Sequence, residues 1–239
     1  MDKVSFKYER QIWRRDFKVV AGCDEVGRGC FAGPVVTGCV VFTPNITLQG
    51  RTFKGVKIDD SKKLTSRQRE VADKWIRKNA LIWGVGIGTV SEINRLGMSK
   101  ATHSAFRRAI SDANKKLKFR IDYLLIDAFY VPYIRELRIG KRNGLFSRRN
   151  PKVIDFRSRQ LAIINGDEKS FSIAAASIIA KVYRDKLMYQ IGSQQKYKKY
   201  GWGSNKGYGT KKHQEAILEY GVTRYHRKSF VTTFISRAI

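Results

Sequence analysis

The sequence predicts an α/β fold, and three observations carry that expectation. Apolar stretches of strand length alternate with stretches of helix length along the whole chain. YLLIDAF at 123–129 is a short, nearly continuous apolar run of the kind buried on both faces of a parallel sheet. From Phe171 to about Gln190, Ala174, Ala175, Ala176, Ser177 and Ala180 follow closely, and such small side chains let a helix backbone lie near a sheet. The 239 residues fit one domain, 1–239, with a core over about 19–231 and a basic insertion over about 131–160.

Each element has a local reason. MDKVSFKYERQIWRRDF lacks the apolar stretch of a secretory signal and suits a short helix packed on the core. KVVAGCDE and PVVTGCVVF are two strands joined by the glycine-rich VGRGCFAG. Thr65 to Ala80 is a helix, with Thr65 as N-cap, Gln68 at the capping-box position and Val71, Trp75 and Ile76 on its apolar face. LIWGVGIGTV is a third strand, and Ser91 to about Asn114 a second helix carrying Ile93, Leu96, Ala101, Ala105 and Ile110. After the strand at 123–129 comes LAIING as another strand, then the alanine-rich helix. Thr210 to Tyr220 is a helix that Gly221 ends. VTRYHRKSF beyond it is a basic tail segment.

Charge is the first functional signal. Lys and Arg number 48 against 20 Asp and Glu, a net +28. That exceeds what solubility asks of such a domain and makes a polyanion, above all nucleic acid, the expected partner. No run reaches the roughly 18 apolar residues of a membrane span, and no helix is cleanly basic and amphipathic, so no membrane role is expected. Cys23, Cys30 and Cys39 form neither a disulfide framework nor a zinc pattern; they read as small buried residues in a reducing cytoplasm.

Four acids sit in apolar or glycine-rich surroundings. Asp24 and Glu25 follow VVAGC, Asp127 follows Leu124, Leu125 and Ile126, and Asp167 precedes the alanine-rich helix. Ionised carboxylates beside a core need compensation, and oxygen ligands clustered together suit Mg2+ or Mn2+. Each also has a plainer reading. Asp24 or Glu25 ends a strand, Asp127 is an exposed strand end, and Asp167 or its neighbour Glu168 caps the next helix. Ligands in α/β sheets gather at strand ends, which favours the metal reading.

The blocks AGCDEVGRGCFAGPVV, DDSKKL (59–64), LLIDAF (124–129), GDEKSFSIAAASIIAKVYRD (166–185), KGYGTKKH (206–213) and HRKSF (226–230) resemble, in order, those of the ribonuclease HII family. The resemblance runs from about residue 19 to 231. It implies a ribonuclease H-like fold: a mixed β-sheet flanked by helices, with a helical C-terminal part. It implies an endoribonuclease that cuts RNA in RNA/DNA hybrids, and cuts DNA duplexes on the 5′ side of embedded ribonucleotides. The implied cofactors are two Mg2+ or Mn2+ ions held by Asp24, Glu25, Asp127 and Asp167, one activating water and the other stabilising the departing 3′ oxygen. A monomer is expected.

By the same resemblance, main-chain groups of Gly27, Arg28 and Gly29 read the ribose 2′-hydroxyl, and Tyr208 packs on the sugar at the RNA–DNA junction. The alternatives are an ordinary hairpin turn and a partly buried core aromatic. Lys62, Lys63, Lys181 and Arg184 are expected as phosphate contacts or carboxylate partners, with solvated surface charge as the alternative. His213 and His226 read as structural or phosphate-proximal. Arg28 and the short stretch before the first strand favour ribonuclease HII over the related HIII. The sequence departs from the family at Cys30, where proline is usual, and in the long interval between Asp127 and Asp167, which leaves Asp155 and Glu168 as fallback ligands. The basic insertion is expected either to project as a hairpin or loop that contacts the nucleic-acid backbone beyond the cleavage site, or to be a mobile solvated insertion. Other readings are a metal nuclease of the same fold, such as a junction resolvase, and a non-catalytic RNA-binding protein.

Overall fold

The computed structural model describes residues 4–46, 52–53, 55–117, 120–134 and 159–238. Its first helix, α1 (Lys7–Trp13), packs Ile12 and Trp13 into the main core beside Phe6 at its N-cap. The strands β1 (Val20–Val26) and β2 (Val35–Val41) pair antiparallel across the glycine-rich turn. A two-strand hairpin, β3 (Thr52–Phe53) and β4 (Val56–Lys57), precedes helix α2 (Ser66–Asn79). Thr65 caps α2 with Gln68 in a reciprocal capping box, as the sequence predicts. Its buried face differs in part: Ala72 and Ile76 are buried, whereas Val71 is exposed.

Strand β5 (Ile82–Gly88) pairs antiparallel with β2. The helix expected from Ser91 to Asn114 is divided into α3 (Val90–Leu96) and α4 (Met98–Asn114). Gly97, at φ 82°, makes the break, because that conformation cannot continue a right-handed helix. Strands β6 (Tyr123–Asp127) and β7 (Gln160–Ile163) run parallel to β1 and to each other. The resulting mixed five-stranded sheet has the order β5-β2-β1-β6-β7.

Two layers cover this sheet. On one face α5 (Phe171–Gly192) lies across β1 and β2; on the other α4 packs through Phe106, Ala109 and Ile110. Gly38 of β2 meets the backbone of Ala176 so closely that a Cβ there would collide with it. The alanine-rich stretch therefore does what its small side chains predict. The C-terminal part consists of α6 (Trp202–Asn205), α7 (Lys211–Tyr220) and α8 (Lys228–Ala238). Of the expected basic tail, 222–230, only Lys228, Ser229 and Phe230 are helical, as the start of α8, which buried Val231 anchors. No helix among the described residues is long and apolar enough to cross a membrane. Most of the basic insertion, with Asp155, lies outside the described residues.

Candidate active site

Asp24 lies on β1 one residue past Cys23, which pairs with Ile126 on β6, and Asp127 lies one residue past Ile126. Two parallel strands in this register present both carboxylates on the same face, at the same level. That face carries α5, since Leu125, two residues before Asp127, belongs to the α5-side core. Asp167 follows β7 in a short 3-10 turn, Gly166–Glu168. The Gly166 N–H donates to Asp127 Oδ1 at 2.7 Å, which ties that turn to the end of β6. On its far side, buried Glu9 of α1 accepts from the Ser170 and Ser172 hydroxyls at 2.6 and 2.7 Å and from the Ser172 N–H at 2.9 Å. The Asp167 segment is therefore held at both ends.

The structure brings Asp24, Glu25, Asp127 and Asp167 within reach of one another's fields. Burial raises Asp24 well above the usual carboxylate range, and the neighbouring Glu25, Asp127 and Asp167 charges raise it further, against a hydrogen bond from Ser177. Burial lifts Glu25 to about 7, with Arg28 opposing and Asp127 adding to the shift. Asp167 rises to about 6 through burial and the charges of Asp127 and Asp60. Asp127 is raised by burial in the same way. Glu25 Oε2 is buried with no hydrogen-bond partner among the described residues. Lys62 Nζ reaches Asp167 Oδ2 at 3.5 Å and Arg28 Nη1 reaches Glu25 Oε1 at 3.5 Å, while Asp24 and Asp127 have no ion pair among the described residues, so the four acids are only partly neutralised. This oxygen-rich, under-neutralised set fits hard divalent cations such as Mg2+ or Mn2+. Among the described residues no three acidic, histidine or cysteine side chains stand close enough to hold an ion as placed.

The other expected residues divide. Lys62 takes the part of a carboxylate partner through Asp167. Lys63 pairs with Glu168, the fallback acid, at 2.7 Å. Lys181 pairs with Asp185 at 2.9 Å and lies 5.7 Å from the Tyr208 ring. Arg184 is a correction. It is fully buried and donates to the carbonyls of Pro34 at 2.9 Å, Ala32 at 3.1 Å and Lys206 at 2.9 Å. Three of its five N–H groups thus bond main chain, and among the described residues it pairs with no carboxylate, so full burial rather than a surface role defines it.

Gly27, Arg28 and Gly29 form the turn after β1, with Arg28 Nη1 3.5 Å from Glu25 Oε1. Gly27 sits at φ 94°, and a Cβ there would strike the Arg184 side chain, so glycine is required on both counts. Tyr208 is partly exposed beside this turn. The two loops are stitched together, since Phe31 and Ala32 N–H groups donate to Gly207 O at 2.8 and 3.1 Å.

Below Tyr208 lies a closed imidazole network. Thr223 N–H donates to His226 Nδ1 at 2.8 Å, which leaves the His226 proton on Nε2. His226 Nε2–H then donates to His213 Nε2 at 3.2 Å, and Trp202 Nε1–H donates to the same atom at 2.9 Å. His213 Nδ1–H donates to the Tyr208 carbonyl at 2.8 Å. Both rings are neutral: burial, then His213, lowers His226 to about 4, and burial lowers His213. Of the two readings for these histidines, the structural one holds.

Three residues of the neighbourhood escaped the sequence reading. Asp60, second acid of DDSKKL, is buried and its field reaches Asp127 and Asp167. Ser177 bonds both Asp24 and Ser61 Oγ. Arg227 is fully buried under the glycine-rich turn. Asp60 was signalled by two acids before a lysine pair; nothing local marks the other two.

A family model described as ribonuclease HII matches residues 21–233. A curated ribonuclease HII from Clostridioides difficile is 39% identical over 228 residues, covering 95% of this chain and 76% of that protein. Among solved structures, ribonuclease H2 from Pyrococcus horikoshii superposes with a TM-score of 0.63 at 23% identity, covering 92% of this chain and 98% of that one. A Bst ribonuclease HIII solved with Mn2+ gives 0.62 at 20% identity, covering 93% and 70%. At those identities the structural likeness speaks for the fold.

Proposed function

The chain belongs to the ribonuclease HII family, a family of metal-dependent endoribonucleases acting on RNA/DNA hybrids, and from that premise we propose that it incises DNA duplexes on the 5′ side of embedded ribonucleotides with two divalent ions. One observation carries the proposal. Four mutually repelling acids, Asp24 and Asp167 buried and Glu25 and Asp127 half-buried, stand beside a glycine-rich turn and an exposed tyrosine that suit recognition of a ribose.

Asp24, Glu25, Asp127 and Asp167 would hold the ions, whose chemistry when bound is Lewis-acid stabilisation of charge on the attacking and departing oxygens. The residues of the chain supply the rest. The Gly166 N–H fixes Asp127 by its Oδ1, and Ser177 fixes Asp24. Lys62 neutralises part of Asp167. The main-chain groups of Gly27, Arg28 and Gly29 are suited to the 2′-hydroxyl, the backbone feature that separates RNA from DNA. The Tyr208 ring, its carbonyl held by His213, suits packing on the adjacent sugar. The net charge of +28 draws the duplex.

The test is incubation with a DNA duplex carrying one ribonucleotide, with and without Mg2+ or Mn2+. The expected result is metal-dependent cutting on the 5′ side of that nucleotide, leaving 3′-hydroxyl and 5′-phosphate ends. A requirement for runs of several ribonucleotides, or cutting of branched DNA instead, would overturn it.

A further inference from the structure

Two arginines lie fully buried under the turn that follows β1. Arg184 reaches Pro34, Ala32 and Lys206 carbonyls, as described. Arg227 donates from Nη1 to Arg28 O at 2.7 Å and from Nε to Gly33 O at 2.8 Å. Among the described residues neither guanidinium has a carboxylate at ion-pairing distance, and Arg227 Nη2 has no hydrogen-bond partner. Their charges oppose one another, and burial with that repulsion lowers Arg227 to about 10, so it stays protonated at neutral pH.

Burying an uncompensated cation is costly. Neutral donors would satisfy the same carbonyls without that cost, so the charge itself calls for an explanation. The position of the bonds supplies one. Arg28 O and Gly29 N–H belong to the same peptide. A cation on the oxygen withdraws electron density from the nitrogen and makes its N–H a stronger donor, as bonds in a chain polarise one another. The planar fork also fixes the peptide, because it grips Arg28 O and Gly33 O at once. Gly29 itself is exposed, and a Cβ built on it would meet nothing within 4 Å, so no side chain of the described residues blocks approach to it.

We propose that Arg227, supported by Arg184, is a specificity-determining positioning residue that orients and polarises the Arg28–Gly29 peptide toward the ribose 2′-hydroxyl. This rests on the reading of the Gly27–Gly29 turn given above. It also gives Arg184 a role in place of the phosphate contact that its burial excludes.

The experiment compares affinities for two DNA duplexes of one sequence, with and without a single ribonucleotide, in Ca2+ to hold off cleavage. Wild type, Arg227→Met and Arg227→Lys are measured. Wild type is expected to prefer the ribonucleotide duplex. Both variants should lose roughly three- to tenfold of that preference, the scale of one good hydrogen bond, with affinity for the all-DNA duplex kept within about twofold. Lysine keeps the charge but not the fork, so its loss should be the smaller. Equal weakening toward both duplexes would mean a merely structural arginine and would overturn the proposal, as would an unchanged preference. If wild type itself shows no preference, the reading of the turn fails and the proposal fails with it. Should Arg227→Met not fold, Arg227→Lys and the wild-type Gly29 amide resonance decide. That resonance should shift on adding the ribonucleotide duplex and not the all-DNA duplex; a shift identical with both would again overturn the proposal.

Discussion

The carboxylates at the ends of β1 and β6 and the imidazoles beneath Tyr208 are both buried polar clusters, built on opposite terms. Each ring nitrogen of His213 and His226 has a partner, and both rings are neutral. The acids instead raise one another, Glu25 Oε2 has no partner among the described residues, and Lys62 is a weak counter-ion for the group. A closed network maintains a shape. An open one is completed by something from outside, and here that something must be cationic. Buried polarity therefore marks a functional centre only where it is left unsatisfied.

The sharpest way to break this contrast is to remove one member from each side. Asp127→Asn should lower cleavage by about three orders of magnitude, the consequence of losing several kcal/mol of charge stabilisation, while hybrid binding persists on the basic surface. Single-turnover cleavage and filter binding measure the two. His226→Ala should behave oppositely, costing about 2–4 kcal/mol in urea unfolding because it leaves a cavity and a less satisfied His213, with cleavage per folded molecule much less affected. If the histidine variant lost activity as the aspartate variant does, at unchanged stability, the distinction would collapse.

A smaller effect follows from pH. The folded values of Glu25, about 7, and Asp167, about 6, lie above their ordinary values of 4.5 and 3.8. Groups raised on folding favour the fold below their unfolded values, and that contribution is lost as pH rises through the folded ones. The metal-free protein should thus lose stability between about pH 4 and 7. Bound Mg2+ or Mn2+ should restore it, so the rise in Tm on adding metal should be about 2–4 °C larger at pH 8 than at pH 5. Equal shifts at both values would mean that the acids do not bind the ion. The smallest effect expected is for Tyr208→Ala: about tenfold slower cutting at a single ribonucleotide, with a lesser loss on continuous hybrid, for want of ring packing against the sugar.

What the sequence made legible follows the same division. Features with local causes were readable: the Thr65–Gln68 capping box, Gly221 after α7, and the apolar strand that ends in Asp127. Asp24, Glu25 and Asp127 were conspicuous as acids at the ends of apolar runs and Asp167 as an acid before the alanine-rich helix, but their reading as one ligand set came from the family resemblance and not from local sequence. The break at Gly97 was not legible, since helical periodicity continues through it in Ile93, Ala101 and Ala105. Nor was α8, whose Phe234 packs on Phe31 from the far end of the chain. Arg184 and Arg227 were least legible. Nothing local distinguishes them from the many surface arginines, and their burial depends on carbonyls gathered by tertiary folding.

The most direct measurement of the central claim is Mn2+ binding by calorimetry at pH 7.5, in two buffers of different ionisation enthalpy, for wild type, Asp127→Asn and His226→Ala. Wild type and His226→Ala should bind Mn2+ and release protons as they do so, because raised carboxylates must ionise to become ligands. Asp127→Asn should bind at least about tenfold more weakly. Undiminished binding by Asp127→Asn, or no proton release from wild type, would contradict the claim that the open carboxylate cluster is completed by a divalent cation.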